Sequence, residues 1–138
     1  MSSWNPFGWF FKKSKEDYDE LLREFLRIYG NLTRLIREVN EIVKRSDNAQ
    51  GTFIKLDQLY EVYCALSKVS AKILGINWNW HSIDGNISYF YKGLNLLFKY
   101  RDNFDHKKAV DTLKVMNNSL ERIDNSLRKL NAESKNFK

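Results

Sequence analysis

Cysteine, proline, histidine and glycine are all scarce in this chain of 138 residues. It contains one cysteine, one proline, two histidines and six glycines. The single Cys64 excludes an internal disulfide framework, and so few cysteines and histidines disfavour a structural zinc site. We therefore expect neither a metal nor a cofactor. Few residues are present that would end a helix, because proline and glycine are the strongest helix breakers.

Long apolar runs are also missing. No stretch approaches the roughly 20 apolar residues of a membrane-spanning helix, and the first residues lack the apolar region of a signal peptide. We therefore expect an intracellular or virion-borne protein. The sequence shows no Gly-rich phosphate loop and no strand candidate of any length. With 43% hydrophobic and 29% charged residues, it has the composition of one globular domain.

Apolar residues recur at helical spacing along most of the chain. The first stripe, in residues 15–46, alternates between steps of four and three, and its phase passes Gly30 without a break. Ser14 is a suitable N-cap for this helix. The stripe consists of Tyr18, Leu22, Phe25, Tyr29, Leu32, Ile36, Val39 and Val43. An apolar stripe of this width is typical of a helix that packs in a bundle.

Three further stripes predict the rest of the fold. Helices are expected at about 53–74, 84–103 and 106–131. Four helices joined by short loops predict an all-α fold, an antiparallel up-down-up-down four-helix bundle. The bundle would occupy residues 14–131, and residues 132–138 would form a frayed tail.

The last two helices differ in character. The third is apolar almost all round because Tyr89, Tyr91 and Phe98 lie outside its core stripe. It is therefore either the most central helix or one whose back meets another subunit. The fourth has a narrow apolar stripe and should lie on the outside, with Asp105 as its N-cap.

Residues 1–13 are unlike the rest of the chain. Their large aromatic residues are Trp4, Phe7, Trp9, Phe10 and Phe11. Lys12 and Lys13 follow, and Pro6 and Gly8 argue against a regular helix from the first residue. We expect an aromatic N-terminal arm. If it were exposed to water, so much apolar surface would promote aggregation. It would be buried against its own bundle, in a neighbouring subunit, or at a membrane interface.

The formal net charge of +6 lies in the second half of the chain. Residues 1–67 carry 10 basic and 10 acidic side chains, whereas residues 68–138 carry 13 basic and 7 acidic ones. Either this charge serves solubility alone, or it faces DNA, an adjacent subunit or a membrane surface. The lysines that we predict to bind anions are Lys12, Lys13, Lys107, Lys108 and Lys114.

One short pattern points to catalysis. The stretch from Arg101 to His106 resembles the Arg-x(4–6)-His motif of HEPN-type ribonucleases, which are also small helical bundles. This resemblance implies metal-independent cleavage of RNA, with Arg101 holding the phosphate and His106 moving the proton. Lys108 stands where that family often has a tyrosine. A ribonuclease is therefore an alternative function.

The whole combination of features points elsewhere. A helical bundle with an aromatic arm, an apolar third helix and a basic half resembles the four-helix coat proteins of archaeal rod-, filament- and spindle-shaped viruses. This resemblance implies a non-enzymatic, self-assembling structural protein without a small-molecule substrate. The subunit contacts that we predict are Trp4, Phe7, Trp9, Phe10, Phe11, Tyr89, Tyr91 and Phe98. A bundle that associates with a membrane surface is a further alternative.

Overall fold

A computed structural model of the protein describes residues 6–45, 49–100 and 105–136, with side chains for 17–45, 55–100 and 105–131. These residues form α1 (Pro6–Arg45), α2 (Ala49–Ile76), α3 (His81–Lys99) and α4 (His106–Asn136). A 3-10 helix, Trp78–Trp80, joins α2 to α3. No strand occurs within these ranges, which confirms the expected all-α class.

The predicted start of the first helix is wrong. α1 begins at Pro6, so Ser14 lies inside the helix instead of capping it. A proline is well tolerated in the first turn because its missing N–H would have no partner there and its ring already fixes a helical φ. The backbone of residues 6–13 is therefore continuous with the rest of α1. Gly30 does not interrupt the helix, as expected.

Other boundaries shift by a few residues. α2 is longer than the predicted 53–74, and α4 continues to Asn136 through most of the expected tail. α3 ends at Lys99 rather than near residue 103, because the Tyr100 N–H bonds to the carbonyl oxygen of Leu97 and leaves the helical pattern. Asp105 caps α4 as predicted, since its carboxylate accepts a hydrogen bond of 3.1 Å from the Lys108 N–H.

The apolar stripes meet in one core. The largest side chains that are fully buried there are Trp80, Phe25, Phe90, Leu32, Leu56, Leu59, Leu66, Ile73, Ile83, Leu94, Met116 and Ile123. All four helices and the 3-10 helix contribute to this set. Each such side chain contributes about 1.5–3 kcal/mol by leaving water, so the core accounts for why the helices pack together.

Contacts between helices show which segments are neighbours. Near the start of α1, Asn77 donates a hydrogen bond of 3.4 Å to the Tyr18 hydroxyl. Further along α1, Glu38 pairs with Lys55, near the start of α2, at 3.0 Å. Ser82, at the start of α3, lies 3.5 Å from Ser126 near the end of α4. This packing is compatible with a bundle.

A buried polar chain fixes the end of the core beneath the α2–α3 connection. The Trp80 indole donates a hydrogen bond of 2.9 Å to the Ser70 hydroxyl, which donates one of 2.8 Å to Asp84. Phe25 packs edge-on against the Trp80 ring, with centroids 4.8 Å apart. Trp80 thereby closes the core at the end where α1 begins, and it forms the floor of the cleft described next.

Candidate association surfaces

A cleft of about 460 Å³ opens between α1 and α4, near the end of the molecule where α1 begins. We call it the α1–α4 cleft. It is lined by Tyr18, Asp19, Leu22, Leu26, Trp80, Leu127, Arg128, Leu130 and Asn131. Leu26 is 48% exposed, so part of this apolar side chain faces solvent. The cleft has a volume typical of binding pockets and mostly apolar walls.

Polar contacts hold α1 and α4 together beyond the cleft. The Tyr29 hydroxyl lies 2.7 Å from an Asp124 carboxylate oxygen and 3.0 Å from the Leu120 carbonyl oxygen. Burial first, and then the Asp124 carboxylate, raise the pKa of Tyr29 far above its ordinary value. Asn40 and Asn117 exchange long hydrogen bonds of 3.4 and 3.3 Å. These side chains bridge α1 and α4, and the seam between the two helices stays open elsewhere, at the α1–α4 cleft and at a second cleft.

A second cleft of about 330 Å³ lies on the same seam towards the end of α1. Lys44 and Lys114 both line it, so the fold brings one predicted anion-binding lysine beside a lysine that the sequence did not single out. Lys107 and Lys108 are exposed in the first turn of α4. The positive charges of these lysines lie near the positive end of the helix dipole, and this repulsion lowers the free energy of unfolding by some tenths of a kcal/mol.

An aromatic face covers the seam between α2 and α3. We give this name to Tyr60, Tyr63, Tyr91 and Phe98. Tyr63 stacks on Tyr91 with ring centroids 4.8 Å apart, and Tyr60 meets Phe98 edge-on at 6.1 Å. Burial raises the pKa of Tyr63. The rings are partly exposed to solvent, and they pack against one another.

The predicted contact residues of the third helix divide into two groups. Tyr91 and Phe98 belong to the aromatic face, whereas Tyr89 lies outside it and is 55% exposed. The Lys92 ammonium stands 5.0 Å from the centre of the Tyr89 ring. The sequence does not single out Tyr60 and Tyr63, because the first flanks the apolar stripe of α2 and the second lies within it, and residues of such a stripe are usually core.

The remaining predicted residues are placed only in part. Phe7, Trp9, Phe10, Phe11, Lys12 and Lys13 lie in the first turns of α1, and their side chains are outside the described set, as is all of Trp4. His106 is half-buried at the first residue of α4, but Arg101 falls outside the described residues. The ribonuclease pair therefore stays a prediction.

The tryptophans of the α2–α3 connection behave differently from each other. Trp80 plugs the core, but Trp78 is 75% exposed and stacks on the His81 ring with ring centroids 5.8 Å apart. Ile76, next to it, is 42% exposed. The end of the molecule that holds the start of α1 therefore also presents apolar surface to solvent.

Neither a metal site nor a membrane span is found in the part of the chain that the structure covers. There, no three histidine, cysteine or acidic side chains cluster as metal ligands would. None of the helices within the covered ranges combines the length and apolar character needed to cross a bilayer. No protein-family model, curated protein or solved structure matches the chain.

Proposed function

We propose that this protein is a self-assembling structural subunit that binds further copies of itself through the aromatic first turns of α1. The observation that carries the proposal is the length of α1, which has 40 residues against 28 in α2. Tyr18 of α1 already contacts Asn77, one residue past the end of α2. Residues 6–17 therefore extend beyond α2 by roughly 18 Å.

The bundle in this proposal is antiparallel, running up-down-up-down. Contacts along the helix pairs support this arrangement. Tyr18 lies beside Asn77 and Glu38 beside Lys55, so residue numbers fall along α2 as they rise along α1. Along α4 the same inverse order relates Tyr29 and Asn40 to their partners Asp124 and Asn117.

The geometry of α1 disfavours burial of the aromatic turns against their own bundle. We use the name aromatic turns for residues 6–13 of α1. A continuous helix rises 1.5 Å per residue, so Phe11 sits about 16 Å from Leu22 along the axis. The aromatic turns cannot fold back into the α1–α4 cleft while the helix is intact. We propose that a second copy covers them, because it carries an apolar cleft.

A coat-like role extends the same proposal. In an assembly, the exposed Lys107, Lys108 and Lys114 of α4 would face nucleic acid or an adjacent subunit. The aromatic face and Tyr89 would offer a second contact between copies, because exposed aromatic clusters are typical of interface cores. Nothing in this role requires a catalytic residue.

Light scattering on a sizing column, with negative-stain microscopy of the largest fraction, tests the proposal. The full chain is expected to elute at masses well above 16.4 kDa. A protein that starts at Ser14 is expected to elute as a small species with helical circular dichroism, because it keeps the buried core but lacks the aromatic turns. A full chain that stays at the monomer mass, or assemblies that survive the truncation, would reject the proposal.

A further inference from the structure

We infer that a second copy packs its α1–α2 side against the α3–α4 side of the first, so that an apolar patch with basic neighbours meets an apolar cleft with acidic neighbours. This inference rests on the proposed self-association and adds a second contact to it, distinct from that of the aromatic turns. It assigns the residues of that contact and their partner.

Three large apolar side chains are exposed together where α3 and α4 meet. Leu96 is 41% exposed and Val115 58%, and Tyr89 is also exposed. A methyl group added at Gly93 of α3 would lie 3.7 Å from the Thr112 side chain of α4, so these two residues mark the seam. Tyr89 and Leu96 lie one turn before and after Gly93, and Val115 lies one turn after Thr112. We call Tyr89, Leu96 and Val115 the α3–α4 patch.

Basic side chains surround the α3–α4 patch. The Lys92 ammonium stands 5.0 Å from the centre of the Tyr89 ring, so it reaches towards the patch. Lys108 and Arg122 lie two helical turns before and after Val115, on the same side of α4, and both are exposed. The patch therefore has an apolar centre and a positive edge.

The acidic side chains of α3 and α4 mostly lie elsewhere. Asp84 bonds to α2, and Asp105 caps α4. Glu121 and Asp124 line the seam between α1 and α4. Among the described side chains of the two helices, this leaves Asp111 beside the patch, against three basic neighbours. The α3–α4 side is therefore positive in balance.

The α1–α2 side carries the opposite charge next to apolar surface. A cleft of about 410 Å³ lies there, at the end where α1 begins, and we call it the acidic cleft. It is lined by Asp17, Glu20, Leu21, Glu24, Lys72 and Ile76. Its three carboxylates outnumber its one ammonium group, and Leu21 and the exposed Ile76 supply apolar surface. Because all six residues line one cleft, they can face a single partner.

The patch and the acidic cleft are complementary. Each has an apolar centre, three charges of one sign and one of the other. Tyr89 and Leu96 are two turns apart, as are Asp17 and Glu24, so each surface spans roughly 10 Å along its helix. Nucleic-acid phosphates would use only the basic and polar groups and leave Leu96 and Val115 in water. An acidic surface with apolar residues covers both kinds of group, and a second copy supplies one.

The two surfaces lie on opposite sides of the molecule. α1 packs against α2 and α4, and α3 packs against the same two helices. The α1–α2 seam is therefore opposite the α3–α4 seam. A contact between two different surfaces is heterologous, and where the rotation between copies does not close a ring it repeats into an open filament. Copies that are joined in this way can extend an assembly in one direction.

The contact is expected to be weak on its own, because its apolar centre is small. Exposed charge pairs fix the partner and its orientation more than they add affinity, and salt screens them. Between copies that the aromatic turns already hold together, the same contact forms at a high effective concentration. It should therefore strengthen assembly at low salt and depend on the aromatic turns.

Charge reversal on the full chain tests the contact. Variant K92E/R122E makes the edge of the α3–α4 patch acidic, and variant E20K/E24K makes the acidic cleft basic. All four positions are exposed, so both variants should keep the fold. Each alone is expected to need at least a tenfold higher concentration than the wild type to reach the same mass in light scattering at low salt, because like charges then meet. An equimolar mixture should recover the wild-type behaviour, since each reversed surface finds a complementary one.

A control and a combined variant complete the experiment. R34E/R45E changes the net charge as much as K92E/R122E does, at exposed positions outside both surfaces, and should assemble like the wild type. The variant with all four reversals in one chain should also recover, because its two surfaces are complementary again.

Assembly that neither reversal weakens, or a loss that neither mixing nor combination restores, would overturn this contact while leaving the proposed self-assembly intact. A K92E/R122E protein that assembles normally but loses binding to a DNA duplex that the wild type binds would assign the patch to nucleic acid instead. A wild type that stays monomeric would reject the proposed function itself.

Discussion

Ser70 and Tyr29 are buried residues whose hydroxyl groups make hydrogen bonds between separate elements of the core. Ser70 is fully buried within the apolar stripe of α2 and links Trp80 to Asp84. The sequence predicts its position, because the stripe is regular. The sequence does not predict the hydrogen-bond partners of Ser70. The 3-10 helix that brings Trp80 over α2 is only three residues long, so no repeating apolar pattern indicates it. Buried hydroxyls need such partners, since an unmade bond costs about 1–3 kcal/mol.

Tyr29→Phe should alter both stability and its pH dependence. At pH 7 the loss of the bonds to Asp124 and the Leu120 carbonyl should lower the free energy of unfolding by about 1 kcal/mol. In the unfolded chain this phenol titrates near pH 10, whereas its pKa is higher in the folded protein. The unfolded state therefore loses the proton first, and wild-type stability should fall as the pH rises above about 10.

Urea denaturation between pH 7 and 11 measures both effects. Tyr29→Phe is expected to show a shallower fall of stability above pH 10 than the wild type, because phenylalanine does not titrate. Tyr89→Phe, at an exposed tyrosine, is the matched control and should follow the wild type. Equal slopes for Tyr29→Phe and the wild type would contradict the buried, proton-holding role of Tyr29.

At the scale of the helix, apolar periodicity predicts the elements well and their ends poorly. The stripe of α1 passes Gly30 in phase, and the helix is continuous there. Pro6 argues against a helix by composition alone, but a proline in the first turn is compatible with one, and α1 begins at Pro6. Periodicity also does not separate a stripe that lines a cleft from a stripe that fills the core. The stripe therefore does not predict that Tyr18 and Leu22 line a cleft.

Two glycines in helices should respond oppositely to alanine. At Gly93 an added methyl group would meet the Met116 side chain, whose sulfur would lie 3.0 Å away, because α3 and α4 approach closely there. Gly93→Ala is expected to lower the free energy of unfolding by about 1–3 kcal/mol. Gly30 is exposed and has open space around it, so Gly30→Ala should raise that free energy by about 0.5–1 kcal/mol.

Thermal unfolding followed by circular dichroism would check this pair of substitutions. The melting temperature should fall for Gly93→Ala and rise for Gly30→Ala. A stabilised Gly93→Ala protein would mean that α3 and α4 do not pack as closely as the core contacts require.

At the scale of the whole molecule, the two ends differ. The end that holds the start of α1 carries the aromatic turns, the α1–α4 cleft and the exposed Trp78. The other end carries exposed lysines of α1 and α4, among them Lys44 and Lys107. Composition predicts that an aromatic segment and a basic half exist. It does not predict that the cleft lies at the same end as the aromatic turns, because that depends on how α4 returns along α1.

The most direct measurement of the proposed self-association is sedimentation velocity with a labelled tracer. The tracer is the full chain with Phe7→Ala, Trp9→Ala, Phe10→Ala and Phe11→Ala, which keeps the cleft but lacks the aromatic side chains of residues 6–13. It should sediment as a monomer alone and with an excess of its own unlabelled form. With an excess of unlabelled wild type it should sediment faster, because wild-type aromatic turns enter its cleft. An unchanged sedimentation rate would contradict the binding of one copy's aromatic turns by another copy's bundle.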